Sequence, residues 1–346
     1  MPRAGKILLA LVLAGLLAAG ALAWLWFAPD RGFNPPRIVR VRAGMRTSQI
    51  ASQLRRAGVI RSSTAFLLWD LFHRGATLKA GSYRFRSAIS LAGVFHQIAA
   101  GKVFYYSFTV PEGYNRFEIA QALENDGLIP QGRFLRATAG GGAVRDLDPQ
   151  AQSLEGYLYP ATYHFSPGES ARAMAAAMVA RFRLELTRLG WKPAAAAPAP
   201  NAAFDPADSQ AQNLHSLVTL ASLIEKETQA AGERRLVAGV FYNRLRIGLP
   251  LQSDPTVIYA EWLAGHDRNQ LTHADLKLRS PYNTYLHTGL PPGPIANPGK
   301  AALMAAAHPA ATRYLYFVSN GHGGHRFSRT LAQQDRNIRR YLKRRE

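Results

Sequence analysis

Apolar and polar positions follow distinct rhythms along this chain, and each rhythm predicts a different element. Residues 7–27 carry no charge and are mostly Leu and Ala. As a helix this run is about 31 Å long, enough to cross a bilayer. Period-two alternation at 38–42 and 106–110 predicts short strands. Leu217, Leu220, Ala221 and Ile224 recur at three- and four-residue spacing, which predicts a helix with one face packed inward. The same reasoning predicts helices at about 169–188, 213–230, 233–246, 255–264, 299–307 and 331–344, and a β-hairpin from 314–319 and 324–328. The fold class expected is α+β, with a single N-terminal transmembrane helix.

An internal repeat lies behind the apolar run, at an offset of 69 residues. Val41, Gly44, Ile50, Ala51, Leu54, Gly58 and Ile60 match Val110, Gly113, Ile119, Ala120, Leu123, Gly127 and Ile129. Each copy reads as a strand, a Gly turn, a helix, and a second Gly followed by an apolar pair. The first copy continues into a helix at 64–73 and a strand at 81–85. Residues 192–212 are Ala- and Pro-rich without periodicity and read as an exposed, mobile loop. The Gly-rich turn at 140–144 lacks both the G-K-[ST] of a phosphate loop and a strand-to-helix setting, which argues against nucleotide binding.

Charge narrows the partners. With 42 Lys and Arg against 22 Asp and Glu, a net +20, the surface is basic and suits anionic partners: nucleic acid, acidic phospholipid or peptidoglycan. The basic residues carry no nucleic-acid-binding signature, so no nucleic acid is expected. Arg336, Arg339, Arg340, Lys343, Arg344 and Arg345 read as the solvated end of the last helix. The absence of cysteine excludes disulfides, thiolate metal sites and a cysteine nucleophile. His322 and His325, flanked by glycines, read as a hairpin turn; no metal and no cofactor are expected. No G-x-S-x-G elbow is present. At the N-terminus, Arg3, Lys6 and Ala21-Leu22-Ala23 suit a cleaved signal peptide. The length of the run and its ending in Trp24, Trp26 and Phe27 suit an uncleaved anchor with an interfacial aromatic belt, which is the reading adopted. Arg31, Arg37, Arg40 and Arg42 compete with Arg3 and Lys6 in setting orientation, but a six-residue head cannot hold a domain.

The candidate chemistry sits on the helix predicted over 213–230. Glu225 and Glu227 fall near the edges of its apolar face, where loss of solvation raises a carboxyl pKa and favours a general acid. The alternative is a solvated rim with pairing to Lys226, Arg234 or Arg235. Two positions apart is about 200° of helix, so both carboxyls cannot address one cleft. A helical wheel places Glu225 nearer the apolar centre and Glu227 on the opposite flank, and geometry does not choose between them.

Around this cluster stand Tyr242-Asn243-Arg244-Leu245, then Leu251-Gln252-Ser253-Asp254-Pro255-Thr256, Tyr282-Asn283-Thr284-Tyr285 and Gly289-Leu290-Pro291-Pro292-Gly293-Pro294-Ile295. In this order they resemble the endolytic murein transglycosylase family, also called YceG-like, most densely over residues 215–327. The resemblance implies the following organisation: a cytoplasmic tail at 1–6, a membrane span at 7–27 and a linker at 28–37. A LysM-like module at 38–105 and a mixed α/β catalytic domain at 106–346 follow, the latter containing the loop 192–212. It selects Glu227 as the catalytic acid/base and leaves Glu225 to hold local structure. Gln252, Asp254, Asn283 and Tyr285 are candidates for binding sugar hydroxyls or acetamido groups, although each also suits a turn or cap, with Asp254 before Pro255 a natural N-cap. Glu155, in Glu155-Gly156-Tyr157-Leu158-Tyr159-Pro160, is the candidate second carboxylate. Tyr157, Tyr159 and Tyr163 either stack on sugar rings or pack as core.

The chemistry implied is non-hydrolytic. One protonated Glu gives its proton to the oxygen between N-acetylmuramic acid and N-acetylglucosamine, then takes one from the muramyl 6-hydroxyl as a 1,6-anhydro ring closes. Peptidoglycan glycan strands are the implied substrate, peptidoglycan synthases the partners, and strand length the property controlled. The implied location is the cell inner membrane, single-pass, with the N-terminus cytoplasmic and the catalytic domain periplasmic. A water-consuming muramidase using a second carboxylate, a non-catalytic peptidoglycan-binding scaffold and a small-molecule lyase are the competing functions.

Overall fold

The computed structural model describes residues 3–29, 36–73, 75–191, 213–267 and 270–342. The loop expected at 192–212, most of the linker and the basic end at 343–346 lie outside the described residues. The chain divides into two compact units, Met1–Tyr106 with His164–Gly168, and Ser107–Tyr163 with Glu169–Glu346.

The first unit begins with helix α1 (Arg3–Phe27), whose apolar side chains from Ile7 to Leu17 are exposed over most of its length. Strand β1 (Arg37–Val41) follows, then α2 (Thr47–Arg56), α3 (Ser63–Phe72), β2 (Gly81–Phe85) and α4 (Leu91–Ala99). β1 and β2 pair antiparallel in the register Arg37↔Phe85 to Val41↔Gly81. Alternation along β1 sends Val39 and Val41 inward and Ile38 and Arg40 outward. Val39 and Val41 join Ile50, Leu54, Phe66, Tyr83, Phe85 and Phe95 in one core. Ser62 and Ser90 cap α3 and α4 by accepting the N–H of Ala65 and of Gly93.

The internal repeat is realised in the backbone. After β1, Gly44 at φ 78° turns the chain into α2 and Gly58 at φ 69° ends it; after β3 (Tyr106–Thr109), Gly113 at φ 79° leads into α5 (Arg116–Asn125), which ends at Gly127 with φ 66°. These left-handed conformations carry little cost only without a Cβ, which fixes the glycines of the pattern. The copies diverge afterwards: β3 pairs with β4 (Thr162–Phe165), while α5 leads into α6 (Gln131–Thr138).

The second unit continues with α7 (Ala171–Arg188), α8 (Leu214–Glu227), α9 (Arg234–Arg246), α10 (Asp254–Leu263) and α11 (Lys300–Ala307). The hairpin of β5 (Tyr316–Ser319) and β6 (His325–Ser328) and then α12 (Leu331–Leu342) close it. Mixed helix and strand content matches the α+β expectation. Helix α8 departs from it in two ways. Every residue from Leu217 to Glu225 is buried, so α8 has no solvent face there and is a central rod packed by α9, α10 and α11. Its other side is small and polar, with the Ser222 hydroxyl donating to the Thr219 carbonyl at 2.7 Å and accepting Ile295 N–H at 3.0 Å. The helix also stops at Glu227, because Thr228 is extended at φ −144° and ψ 131°. The carboxyl therefore leaves from the last helical residue.

Candidate active site

Glu227 projects from the end of α8 into a set of turns locked to one another. Gln252 N–H donates to the Thr284 carbonyl at 3.1 Å, and Ser253 N–H to the Thr284 hydroxyl at 3.0 Å. The Thr256 hydroxyl donates to the Ser253 carbonyl at 2.7 Å and meets the Thr284 hydroxyl at 3.0 Å. The polar density of both motifs is thus spent partly on stapling them together. Gln252 sits at φ 51°, the one non-glycine residue with positive φ among the described residues. Holding it there costs on the order of 1 kcal/mol, strain that the staple maintains.

Ser253, not Asp254, occupies the N-cap position of α10, with Asp254 and Pro255 as its first helical residues. The Ser253 hydroxyl makes no cap. It donates instead to Glu227 Oε1 at 2.5 Å. Asp254 is likewise turned away from capping, accepting the Tyr285 hydroxyl at 2.5 Å. Arg244 closes the other side: Nε donates to the Leu315 carbonyl at 2.6 Å, Nη1 to the carbonyls of Pro250 and Leu251 at 2.9 Å each, and its guanidinium lies 5.1 Å from the Tyr316 ring centroid. Nη1 also lies 3.4 Å from Gln252 Oε1. The preceding Tyr242 and Asn243 bond the carbonyls of Ala306, Thr312 and Tyr314, so the Tyr-Asn-Arg triplet fastens α9 to the segment that leads into β5.

Electrostatics follow from this packing. Glu227 keeps a partly accessible surface, yet protein surrounds it closely enough that desolvation pushes its pKa to about 7. The Ser253 hydroxyl and Arg244 pull it down, while the charge of Asp254 adds to the rise. Burial depresses the pKa of Arg244, with Tyr316, Tyr285 and Glu227 opposing. Tyr285 is held well above the ordinary phenol range, by burial first and then by its bond to Asp254. A carboxyl protonated near neutrality, with one oxygen held by a hydroxyl donor, can deliver a proton from the other oxygen.

Gln252, Asp254 and Tyr285 thus gather around Glu227, whereas Asn283 and Glu155 do not present themselves to a ligand. Asn283 is buried, donating to the carbonyls of Leu276 and Leu278 and accepting Tyr285 N–H. Glu155 is only 2% exposed; its two oxygens take the Arg116 N–H at 3.1 and 3.0 Å and one takes Asn297 Nδ2 at 3.0 Å. Burial lifts its pKa to about 7 against these bonds and that of Tyr259. It anchors the N-terminus of α5. Tyr157, Tyr159 and Tyr163 are buried as well, Tyr157 donating to Asp148 and Tyr163 to the Tyr159 carbonyl. Glu225 accepts Gly299 N–H at 2.9 Å and faces Arg234 at 3.4 Å. His325 is bonded to Glu233.

Ser253 and Arg244 escaped sequence reasoning as site residues although both lie inside quoted motifs. The available signal was a serine and an arginine in otherwise explained turns. A third missed feature is His215 near the start of α8, whose Nδ1 faces Asp148 Oδ2 at 2.7 Å and whose Nε2 faces the Pro292 carbonyl at 2.9 Å. Both nitrogens meet acceptors, so the ring is held as imidazolium. Burial opposes that charge, but the bond and charge of Asp148 and the Pro292 carbonyl outweigh it and raise the His215 pKa.

The model of the YceG-like family matches residues 39–340. The endolytic murein transglycosylase of Bacillus subtilis strain 168 is 31% identical over 324 residues, covering 88% of this chain and 84% of the relative. That of Streptococcus pneumoniae serotype 2 is 27% identical over 337 residues; the match covers 88% of this chain but only 58% of that longer relative. The crystal structure of a YceG-like protein from Listeria monocytogenes superposes with a TM-score of 0.53 at 30% identity, over 87% of this chain and 98% of that one. A family match across most of the chain, joined to relatives and a solved structure of similar extent, places this chain in the YceG-like family.

Proposed function

We propose that this chain is an endolytic murein transglycosylase that cuts between N-acetylmuramic acid and N-acetylglucosamine inside peptidoglycan glycan strands. One observation carries the reading: a partly accessible carboxyl at the end of α8, protonated near neutrality and bonded on one oxygen by Ser253. Its relatives in B. subtilis and S. pneumoniae bear that name. Because Ser253 donates to Oε1, the proton that leaves Glu227 sits on Oε2. Oε2 protonates the departing glycosidic oxygen; as carboxylate it then takes the proton of the muramyl 6-hydroxyl, whose oxygen attacks C1. The C1–O bond to the leaving sugar breaks, the 1,6-anhydro bond forms, and the proton balance of Glu227 is restored. Asp254 and Arg244 flank developing positive charge with opposite signs, and Gln252 and Tyr285 supply hydrogen-bonding groups for the sugar.

Helix α1 has the length and apolarity of a membrane span, which supports a single-pass anchor at the inner membrane with the globular units periplasmic. The strand–helix–helix–strand order from β1 to β2, extended by α4, supports the LysM-like reading of residues 38–105 and a role in holding glycan, with 106–346 as the catalytic domain. Tethering restricts cutting to strands near the membrane, where synthases extend them, and so limits their length. The test is mass spectrometry of products from purified, uncrosslinked strands. Internal fragments ending in 1,6-anhydromuramic acid, lost in Glu227→Gln, are expected. Reducing muramic ends would indicate hydrolysis, and undiminished product from the variant would remove Glu227 from the chemistry.

A further inference from the structure

Helix α3 carries an apolar stripe that the protein leaves uncovered. Of its ten residues, Ala65, Phe66 and Trp69 enter the core. Leu67, Leu71 and Phe72 remain 38%, 47% and 68% exposed, with Leu68 half-buried beside them. Positions 67, 68, 71 and 72 share one side of a helix. At about 15 Å the helix is too short to cross a hydrocarbon layer of about 30 Å. It is nonetheless fixed to the end of α1, in the same unit. Trp26 Nε1 donates to the Ala65 carbonyl at 3.0 Å, and the Trp26 ring lies 5.1 Å from that of Trp69 and 5.9 Å from that of Phe72. Phe27 meets Trp69 at 5.5 Å.

That attachment determines what covers the stripe. Trp24, Trp26 and Phe27 end the apolar run of α1, and such a group lies at the boundary between acyl chains and headgroups. A helix in ring contact with them lies at the same level. The charge of the unit fits a lipid surface as well: from Pro36 to Tyr106 the chain has twelve Lys and Arg and a single acid, Asp70. Arg61 is at the foot of α1, donating to the Pro29 carbonyl at 2.7 Å with its guanidinium 4.3 Å from the Trp24 ring centroid. A basic surface beside a short apolar helix is the pattern of an interfacial element resting on anionic lipid.

We propose that α3 is a second membrane contact, with Leu67, Leu71 and Phe72 resting in the interfacial layer of the bilayer next to the end of α1. The inference rests on α1 spanning a membrane. It makes the first unit a foot held at two points, so that α1 cannot act as a freely swivelling tether.

The chain lacks cysteine, so a single introduced thiol reports one place. Full-length Leu71→Cys, Phe72→Cys and Ala18→Cys are labelled with an environment-sensitive fluorophore in vesicles of phosphatidylethanolamine and phosphatidylglycerol. Expected is loss of most emission at 71 and 72 to lipids carrying a nitroxide near the headgroup, little loss to aqueous iodide, and quenching at 18 by a nitroxide deep in the chain. Labels at 71 and 72 quenched by iodide, with the label at 18 still in the bilayer, overturn the docking and leave the anchor standing. Labels at 71 and 72 shielded from both quenchers overturn it in favour of a protein partner or a second copy. An aqueous label at 18 removes the span itself.

Discussion

Ser253→Ala tests the electrostatic account of the site most directly. Its hydroxyl donates to Glu227 Oε1 at 2.5 Å and favours the carboxylate over the acid. A bond to a charged acceptor contributes about 1.5–3 kcal/mol, and roughly half of that remains when the acceptor is a neutral acid. The difference between the two forms is therefore about 1–1.5 kcal/mol, or about one pKa unit. Removing the hydroxyl moves Glu227 from about 7 to about 8. The turn itself is held by Ser253 backbone bonds to Thr284 and Thr256, which the substitution leaves intact. The assay is the rate of anhydromuramyl end formation across about pH 5.5–9, read as the position of the alkaline limb relative to the plateau, so that any loss of absolute rate cancels. At about pH 8 the wild type keeps roughly a tenth of its acid form and the variant about half, a fivefold larger share of its plateau. A limb that stays in place or moves to lower pH refutes the assignment of Ser253 as the group that holds the Glu227 pKa down.

Glu227→Gln should become more stable than the wild type as pH rises. A carboxyl lifted from 4.5 to about 7 binds protons more tightly in the folded state, so the wild type loses stability between those values while the variant does not. The gap reaches about 3 kcal/mol at most above pH 7, since part of the side chain still meets water, and hydrogen exchange of α8 in the full chain measures it. Glu155 titrates in both proteins and cancels. The His215–Asp148 pair has the same sign in a higher window: a raised histidine stabilises fully below its unfolded value near 6.5, and that contribution fades as pH climbs through the folded value. Exchange at the start of α8, corrected for intrinsic rates, should quicken as pH rises above about 6.5, and His215→Ala should remove that part of the dependence while leaving the part due to Glu227. Gly156→Ala adds a Cβ 2.6 Å from Pro294 Cβ and Cγ and 2.7 Å from Val218 Cγ1 at a φ of 85°. A cost of about 3 kcal/mol is expected in thermal unfolding, and an unchanged transition would show that the contact relaxes freely.

Local signals in the sequence carry much of this fold and less of its site. Helices α7, α9 and α11 fall within about two residues of expectation, as caps and periodicity are read over neighbouring positions. The repeat foretells its own left-handed glycines. Burial of α8 on all sides was hidden, because Thr219 and Ser222 look like a solvated face until the helices that cover them are known. Of the residues the motif segments offer for sugar binding, Gln252, Asp254 and Tyr285 lie around Glu227, while Asn283, in the same motif as Tyr285, serves the turn behind them. Glu155 shows why residue type is insufficient: a glutamate in a polar-aromatic segment binds a helix N-terminus 39 residues away in sequence. Ser253 shows the converse, a cap residue by position whose hydroxyl serves another residue.

The reach of Arg244 has a consequence in time. Its guanidinium is placed by Leu315, 71 residues downstream, and Asn297 joins Leu158 and Tyr114 across 139 and 183 residues. A polypeptide delivered N-terminus first has Glu227 long before the strand that completes its surroundings. The 88 residues from Glu227 to Leu315 take roughly 4–18 s to make at about 5–20 residues per second. During that interval the Arg244 guanidinium lacks the Leu315 carbonyl, so the surroundings of Glu227 are completed only near the end of synthesis.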